Sequence, residues 1–374
     1  MHPHQKALSF TCLIVLLSQI CLSFSSYSLT KTFVVSGIIT DTHHSARILK
    51  HIVAYAPLTD AAANFIANHF DMAIVDFVYT TNFAKIKTYN PSTLLIGYRD
   101  IIAMHTTYED WGEANAHEDW FIHDAYGNRI RETGYGFYLM DVGSQGWRQH
   151  YAQYCLQKLA QHPTVDGIFA DDCIEAGVLS RGSWSSSVPS SVRNTWNDRM
   201  NGMLSYVKGS LGGKLLIINS NEYNGQFLQN SDGQMWEGFI HAAWEGSGQF
   251  RDYAYSEWEL SVIQTLSATG KYVLVQSGSA SSSDFQRLGT YCLAAALIAG
   301  GTSFNYAYSY SDPASQYFST LDYNFGSPTG NMVKLAPGVY SREFSQAKVY
   351  VNLSPNPYNL SPTQTVNAHD SLID

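Results

Sequence analysis

An apolar run that ends abruptly on two adjacent carboxylates lies near the middle of the chain: Val165-Asp166-Gly167-Ile168-Phe169-Ala170-Asp171-Asp172. Such a run is typical of a strand in a parallel sheet, where both faces are covered and polar residues need not alternate with apolar ones. In an α/β barrel the carboxyl ends of the strands open onto the active-site face. Acids at this position therefore indicate catalysis, although an Asp can also cap the segment that follows a strand.

Similar apolar runs recur along the chain, with helical stretches between most of them. The predicted strands are residues 52–57, 72–77, 93–98, 165–171, 215–220, 235–240, 272–276 and 302–308. Apolar residues at helical spacing predict helices at 59–69, 146–161, 191–210, 251–269 and 284–299. Eight strands in this alternation predict an α/β fold, a closed (β/α)8 TIM barrel.

Two departures from the strand and helix alternation define the expected domain organisation. Residues 101–142 form a long insertion after the third strand, and loops of this length are usually functional. Residues 338–344 and 348–353 predict a short C-terminal β-hairpin, followed by a tail. We therefore expect a signal peptide at 1–25, a catalytic barrel at 26–335, and a hairpin with its tail at 336–374.

The N-terminal residues have the features of a secretory signal. Lys6 precedes an almost uncharged apolar run, and small residues at 23, 25 and 26 suit a cleavage site. Ser18 and Gln19 interrupt the run, which is too short to favour a membrane anchor. We predict a secreted, extracellular protein without stable membrane association. A net charge of -9 and the absence of Lys/Arg runs disfavour nucleic acid as a partner.

Cysteines and acceptor triplets add to this prediction of export. Cys155, Cys173 and Cys292 would remain after cleavage, an odd number without metal-ligand spacing, and Cys155 and Cys292 are expected to be buried thiols. Residues 352–354 and 359–361 are N-glycosylation triplets, so a glycoprotein is expected if the cell is eukaryotic. Aromatic residues are plentiful, and four Trp side chains are candidates for stacking on sugar faces, with core packing as the alternative: Trp111, Trp120, Trp236 and Trp244.

A second segment, residues 235–240, is another short apolar strand that a single acid, Glu237, interrupts. Two acids on two different strand ends are what the cleavage of a glycosidic bond requires. Asp171 is preferred over Asp172 because neighbouring side chains on a strand point to opposite faces, so Asp172 should turn outward. Glu237 follows Trp236, and an apolar indole beside it would raise the pKa of this acid, as a proton donor needs. We predict Asp171 and Glu237 as the catalytic pair, with no cofactor and no metal.

The chain resembles a family of TIM-barrel glycoside hydrolases, the hypothetical glycosyl hydrolase family 15, within the broad superfamily of the α-amylases and α-galactosidases. The resemblance covers most of residues 50–354. It rests on Asp166-Gly167-Ile168-Phe169-Ala170-Asp171-Asp172, Met140-Asp141-Val142-Gly143 with Trp147-Arg148, Trp236-Glu237-Gly238-Phe239, Tyr340-Ser341-Arg342-Glu343-Phe344 and Val349-Tyr350-Val351-Asn352. It implies an acid on the fourth strand as nucleophile or base and an acid on a later strand as proton donor. Asp171 and Glu237 occupy those positions.

Side chains at other strand ends and in the insertion are candidates for contact with a carbohydrate substrate: Asp76, Arg99, Asp141, Asp172, Asn219, Glu222 and Trp236. Arg99 could bind substrate, hold a catalytic carboxylate ionised or form a structural ion pair, and these alternatives remain open. Asp141 closes the insertion and is expected mainly to fix it. Glu222 is the rival proton donor, because the amylase branch of the superfamily that the chain resembles places its acid on the fifth strand.

Two other functions remain open beside a secreted hydrolase of oligo- or polysaccharides. Residues 169–172 are also similar to the acid pair of metal-dependent polysaccharide deacetylases. Those enzymes need paired His ligands, and no two His residues here have the spacing His-x-x-x-His. A catalytically inactive barrel that binds glycans as a lectin is the other alternative, and it predicts binding that survives the loss of Asp171.

Overall fold

A computed structural model of the chain describes residues 48–220, 222–242, 250–279 and 281–374. The expected signal peptide and the stacking candidate Trp244 lie outside the described residues. The strands are, in chain order, β1 Leu49–Ala54, β2 Met72–Asp76, β3 Leu94–Asp100, β4 Ala103–Met104, β5 Tyr138–Leu139, β6 Gly167–Asp171, β7 Leu215–Asn219, β8 Gly233–Glu237, β9 Tyr272–Gly278, β10 Ser303–Ala307, β11 Val333–Ala336, β12 Val339–Glu343, β13 Lys348–Asn352, β14 Tyr358–Ser361, β15 Gln364–Val366 and β16 Asp370–Ile373.

Helices follow or precede most of these strands. They are α1 Asp60–His69, α2 Thr81–Tyr89, α3 Trp111–Ala114, α4 Gln145–Gln161, α5 Ala176–Leu179, α6 Ser190–Arg193, α7 Trp196–Ser210, α8 Gln226–Gln229, α9 Tyr253–Ser267 and α10 Phe285–Ala299. Polar side chains begin several of them: the Ser144 hydroxyl accepts from the Trp147 amide before α4, and the Asp252 carboxylate accepts from the Ala254 amide before α9. The short helix α2 lies between the second and third barrel strands, where we had expected none.

Eight parallel strands close into a barrel in the order β1-β10-β9-β8-β7-β6-β3-β2, which confirms the predicted TIM barrel. Alternation along each strand divides the apolar residues between two regions. On β6, Phe169 belongs to the cluster that fills the barrel, whereas Ile168 and Ala170 belong to the cluster beneath the surrounding helices. Both faces of the strands are thus apolar, which explains the continuous hydrophobic runs in the sequence.

The insertion between β3 and α4 is a packed structure with its own two-stranded sheet of β4 and β5. The Trp147 indole on α4 donates to the Ile101 carbonyl over 3.0 Å, which ties the start of the insertion to the helix. Ile102, Met104 and Trp120 are buried against the outer core. The insertion is therefore anchored by apolar contacts as well as by hydrogen bonds.

The C-terminal residues form more structure than the expected hairpin. The hairpin is present as β12 and β13, but it lies at the centre of a four-stranded antiparallel sheet, β11-β12-β13-β16. The residues after 353, which we expected to form a tail, contain β14, β15 and β16. Val349 and Val351 of β13 are buried in one cluster with residues of α10, and the added strand β16 covers the remaining edge of β13.

Cys155, Cys173 and Cys292 are buried free thiols, as expected for the first and last of them. Burial raises the pKa of all three thiols. No helix among the described residues is long and apolar enough to cross a membrane.

Candidate active site

Asp171 and Glu237 end two strands of the barrel, β6 and β8, and the strand between them ends on Asn219. The amide nitrogen of Asn219 donates to the Asp171 Oδ1 over 2.8 Å and to the Glu237 Oε2 over 2.7 Å. Because both oxygens accept from one nitrogen, they lie at most about 5.5 Å apart. One side chain that had been a candidate for sugar contact thus joins the two carboxylates.

The Asp171 carboxylate accepts two further hydrogen bonds. The Tyr98 hydroxyl donates to its Oδ2 over 2.7 Å, and the Asp172 backbone amide donates to its Oδ1 over 3.0 Å. With Asn219, donors from β3, from β7 and from the residue after β6 determine the orientation of this carboxylate. A carboxylate held in this way is pre-organised to react at a fixed point of the barrel mouth.

Glu237 has the protonation behaviour of a general acid. Burial in the barrel mouth and the charge of Asp171 raise the pKa of Glu237 to about 7, while the hydrogen bond from Asn219 opposes this rise. The cause is not the one expected from the sequence, because Trp236 lies on the other face of β8. The Trp236 indole donates to the buried Glu259 carboxylate over 3.0 Å and packs against Trp258. Trp236 therefore does not face the mouth, which corrects its expected role in substrate binding.

Asp172 also departs from its expected position. Its backbone has a positive φ of 54°, and this left-handed turn brings its carboxyl group into contact with Asp100, the last residue of β3. Asp172 reaches solvent at the mouth, although protein atoms surround its carboxyl group, whereas the whole of Asp100 is buried. Strand alternation predicted that Asp172 would turn outward, but the strand has already ended at this residue. Asp100, Asp171, Asp172 and Glu237 together make the mouth strongly acidic.

Arg99 forms the structural ion pair that the sequence left open as one of three alternatives. Its guanidinium donates to both oxygens of Asp110, over 3.1 and 3.0 Å, and lies 4.2 Å from the ring centre of Tyr108. Tyr98 and Asp100 point into the barrel, so the residue between them points out. Arg99 thus holds the insertion and not a catalytic carboxylate, which corrects its expected contact with substrate.

Asp141 and Asp76 both stabilise local backbone. Asp141 accepts from the Arg199 guanidinium over 2.8 Å and from the Gly143 amide over 2.7 Å, so it fixes the end of the insertion as expected. Asp76 ends β2 and accepts from the Val78 amide over 2.8 Å. Burial raises the pKa of Asp76. Neither contact involves Asp171 or Glu237, although Asp76 lies at the same end of the barrel.

Glu222, the rival proton donor, is turned into its own loop. Its Oε1 accepts from the Asn224 amide over 2.7 Å, and its backbone carbonyl accepts from the Gln234 side chain over 2.7 Å. The side chain is buried, and no hydrogen bond joins it to Asp171 or Asn219 among the described residues. The geometry therefore favours Glu237 over Glu222 as the partner of Asp171.

Aromatic residues that sequence reasoning had missed line the mouth. Tyr55 follows β1, and its ring centre lies 4.8 Å from that of Tyr98 and 5.9 Å from that of Tyr310. Gln276 of β9 donates to the Tyr310 hydroxyl. Burial, followed by the charges of Asp171 and Glu237, raises the pKa of Tyr55. The alternation of Tyr55 with Val53, which lies inside the barrel, is the signal that could have found it.

The tryptophans of the insertion do not belong to this aromatic group. Trp111 stacks on Tyr138, and Trp120 is buried and stacks on His117. Core packing was the alternative to sugar stacking for these residues, and the contacts agree with it. Within the described part of the chain, no group of three or more His, Cys, Asp or Glu side chains is placed to hold a metal ion.

A closed parallel barrel with two carboxylates at the ends of nearby strands is the architecture of a TIM-barrel glycoside hydrolase. The chain belongs to the hypothetical glycosyl hydrolase family 15, whose model matches residues 78–348. The predicted family, and with it the predicted enzyme class of glycoside hydrolase, are confirmed. No protein with curated annotation matches the chain.

Solved structures of glycoside hydrolases share the fold. The glycoside hydrolase domain of PelA from Pseudomonas aeruginosa is 14% identical, with a TM-score of 0.52 over 74% of this chain and 97% of that one. The α-galactosidase TtGalA from Thermus thermophilus, in complex with p-nitrophenyl α-D-galactopyranoside, is 12% identical. Its TM-score is 0.50 over 83% of this chain and 67% of that one. At such low identity the similarity establishes the barrel fold.

Proposed function

We propose that this glycoside hydrolase cleaves O-glycosidic bonds of an oligo- or polysaccharide with retention of configuration, using Asp171 as nucleophile and Glu237 as acid and base. The observation that carries the proposal is the bridge from the Asn219 amide to both carboxylates. Retaining enzymes need carboxyl groups about 5–5.5 Å apart, whereas inverting enzymes leave room for a water at roughly 6.5–9.5 Å. The bridge supports the first arrangement, because it brings one oxygen of each carboxyl group to within about 5.5 Å of the other.

In the first step, Asp171 attacks the anomeric carbon while the protonated Glu237 gives its proton to the departing oxygen. The C–O bond breaks, and a covalent glycosyl-enzyme ester forms on Asp171. In the second step, the ionised Glu237 takes a proton from water, which attacks the same carbon and releases Asp171. Tyr98 and Asn219 keep Asp171 oriented throughout, and Asn219 holds Glu237 on the side of the leaving group.

The tyrosines at the mouth support a sugar ring as the bound group. Tyr55, Tyr98 and Tyr310 present apolar rings with polar edges beside the carboxylates, and such rings suit the faces of pyranose sugars. A TIM-barrel relative has been solved with an α-D-galactopyranoside, so α-galactosides belong in any panel of test substrates. The expected secretion, with cleavage of residues 1–25, would place this activity outside the cell.

The stereochemistry of the product tests this proposal. Purified enzyme is incubated with a panel of aryl glycosides of both anomeric configurations, and proton NMR records which anomer of the released sugar appears first. Retention is the expected result. Initial release of the opposite anomer would show that the second carboxylate activates water, and Asp171 would lose its role as nucleophile.

Asp171→Asn tests the nucleophile directly. The amide keeps the shape of the carboxylate, and its oxygen can still accept from Asn219 and from the backbone amide of residue 172. It cannot form the glycosyl ester, so turnover should fall by at least 10³-fold, an order of magnitude typical of catalytic side chains. The melting temperature should remain within a few degrees of that of the wild type. Activity retained within a few-fold would contradict the assignment, and glycan binding without any wild-type turnover would favour the lectin alternative.

A further inference from the structure

The chain makes a tight turn immediately after the nucleophile. Asp172 has the left-handed φ of 54°, a conformation that Asp and Asn adopt more readily than most residues. The Cys173 amide donates to the Asn219 carbonyl over 2.9 Å, and the Ile174 amide donates to the Asp172 carbonyl over 2.7 Å. These backbone hydrogen bonds fix the residues that follow Asp172. The side chain of Asp172 makes a further contact that stabilises the turn.

That contact places the Asp172 carboxyl group beside the carboxyl group of Asp100. Two ionised carboxylates side by side repel each other, so the arrangement favours a proton on one of the two groups. The Oδ1 of Asp100 accepts from the amides of Ile102 and Ala103, over 2.9 and 3.0 Å, which favours the ionised form of Asp100. Asp172 therefore holds the shared proton.

The turn that this pair stabilises also aims a donor at the nucleophile. The backbone amide of Asp172 lies 3.0 Å from the Oδ1 of Asp171, and it points there only while Asp172 keeps its left-handed conformation. Asp100 and Asp171 are direct neighbours in the barrel ladder. The pair and the nucleophile are thus linked by one turn of backbone.

We propose that Asp100 is a positioning residue of this hydrolase, which shares one proton with Asp172 and thereby holds the turn that directs the Asp172 amide at the nucleophile. The inference rests on the proposed function, because it takes Asp171 as the attacking group. Without the shared proton, two negative charges would be in contact and would repel each other. The turn would then open, and Asp171 would lose a hydrogen bond.

The direction of the pH effect follows from this arrangement. The shared proton is present at low pH and is lost as the pH rises through the range in which the pair titrates. Burial and the charge of Asp171 raise the pKa of Asp100 to about 7, and burial and the neighbouring charges of Asp100 and Asp171 raise that of Asp172. The titratable or charged groups around the pair are Tyr98 and Arg99 on β3, Tyr108 in the insertion, Tyr151 on α4, Asp171 on β6, Cys173 after β6, and Glu237 on β8.

Glu237 titrates in the same range, so its contribution has to be removed before the pair can be observed. In Glu237→Gln, an aryl glycoside with an activated leaving group does not need a general acid. The probe is the 2,4-dinitrophenyl glycoside of the sugar that the wild-type enzyme releases, and kcat/KM then reports only the attack by Asp171. We expect kcat/KM in this background to fall as the pH rises through the range in which the pair titrates. The fall should level off about tenfold to a hundredfold lower, the effect of losing one hydrogen bond to a charged group.

Asp172→Asn in the Glu237→Gln background tests the shared proton. The amide of Asn donates to Asp100 at every pH and is tolerated at positive φ, so the alkaline fall should disappear. Asp172→Ala removes the contact and should lower kcat/KM at every pH. Asp76→Asn removes another carboxylate from the same end of the barrel, outside the pair, and should leave the alkaline fall in place. Melting temperatures establish that each variant is folded.

Two results would overturn the inference. The first is the absence of an alkaline fall in Glu237→Gln, and the second is a fall that persists unchanged in folded Asp172→Asn. Failure of the proposed function is recognised separately, because Asp171→Asn would then retain activity on the same probe. If Asp171→Asn loses activity while the pH profile of kcat/KM is unchanged in Asp172→Asn, only the role of Asp100 is rejected, and the proposed function stands.

Discussion

At the scale of single residues, the site depends on which donors reach each carboxylate. Asp171 accepts from Tyr98, Asn219 and the Asp172 amide, whereas Glu237 accepts from Asn219. Burial in the barrel mouth and the negative charge of Asp171 raise the pKa of Glu237 to about 7. In the proposed function, similar residue types therefore take different roles because of their surroundings, one as a nucleophile and one as a proton donor.

The role of Glu237 predicts a dependence on the leaving group. Glu237→Gln should nearly abolish cleavage of natural glycosidic bonds, whose departing oxygen needs a proton, and should retain much more of kcat/KM on activated aryl glycosides. Kinetics on a leaving-group series measure this. Glu222→Gln is the matched control. If Glu222→Gln shows this dependence on the leaving group while Glu237→Gln behaves like the wild type, the proton donor is Glu222, in the loop after β7.

The raised pKa of Glu237 also predicts the alkaline limb of wild-type activity on natural substrates. The protonated form is needed for the first step, and it is lost as the pH rises through about 7. We expect kcat/KM to fall above this pH, by about tenfold per unit for each ionisation involved. A profile that stays flat to pH 9 would contradict the assignment of Glu237 as the acid.

Asn219 should matter for catalysis more than for stability. Asn219→Ala removes the donor that holds both carboxylates, and loss of one such donor in other enzymes costs about 10²–10³-fold in kcat. Steady-state kinetics beside thermal melting separate the two effects. Asn224→Ala changes an exposed residue a few positions further along the chain and serves as the control. Equal activities in the two variants would show that the bridge has no role.

At the scale of elements, the alternation of side chains along each strand determines which candidates face the mouth. On β8, Met235 lies inside the barrel and Trp236 lies outside it. On β3 the same rule sends Arg99 outward to Asp110, where it anchors the insertion. Sequence reasoning placed a strand at both positions, but it assigned Arg99 and Trp236, which point outward, to the site.

Two ion pairs of the insertion are expected to contribute very differently to the free energy of unfolding. Asp110→Ala leaves Arg99 buried without its partner, which should cost roughly 3–5 kcal/mol of unfolding free energy. Glu118 pairs with Arg129 in the same insertion but is exposed, so Glu118→Ala should cost at most about 1 kcal/mol. Denaturant unfolding of both variants measures the difference. Equal losses would mean that the insertion is not held by Arg99.

At the scale of the whole molecule, closure of the barrel brings the ends of β6, β7 and β8 to one mouth. Residues that are 48 positions apart in the chain, Asp171 and Asn219, become hydrogen-bonded neighbours. The C-terminal sheet packs on α10, on the outer side of the barrel. The catalytic chemistry proposed for this mouth uses two carboxylates, one as the nucleophile and one for proton transfer.

This chemistry predicts that chelators leave the activity unchanged. Enzyme treated with EDTA and then freed of it should release reducing ends at the rate of untreated enzyme, because neither proposed step uses a metal ion. The decisive measurement follows reducing ends and acetate together. Acetate release without new reducing ends, lost on chelation and restored by zinc, would instead establish the deacetylase alternative.

The sequence by itself determined the barrel and the two strands that carry Asp171 and Glu237. Hydrophobic runs, turn residues and the position of an acid at the end of a run are local properties, and local spacing determines whether a segment forms a strand and where it ends. The family resemblance could be recognised for the same reason, since its motifs lie at the ends of strands.

Only the tertiary structure decided how the side chains at those ends are paired. The bridge from Asn219, the contact between Asp100 and Asp172, and the outward turns of Arg99 and Trp236 depend on strand register, on one left-handed residue and on neighbours far away in the chain. The last strand, β16, depends on the free edge of β13. Such contacts arise from the packing of distant segments, and no local pattern of residues encodes them.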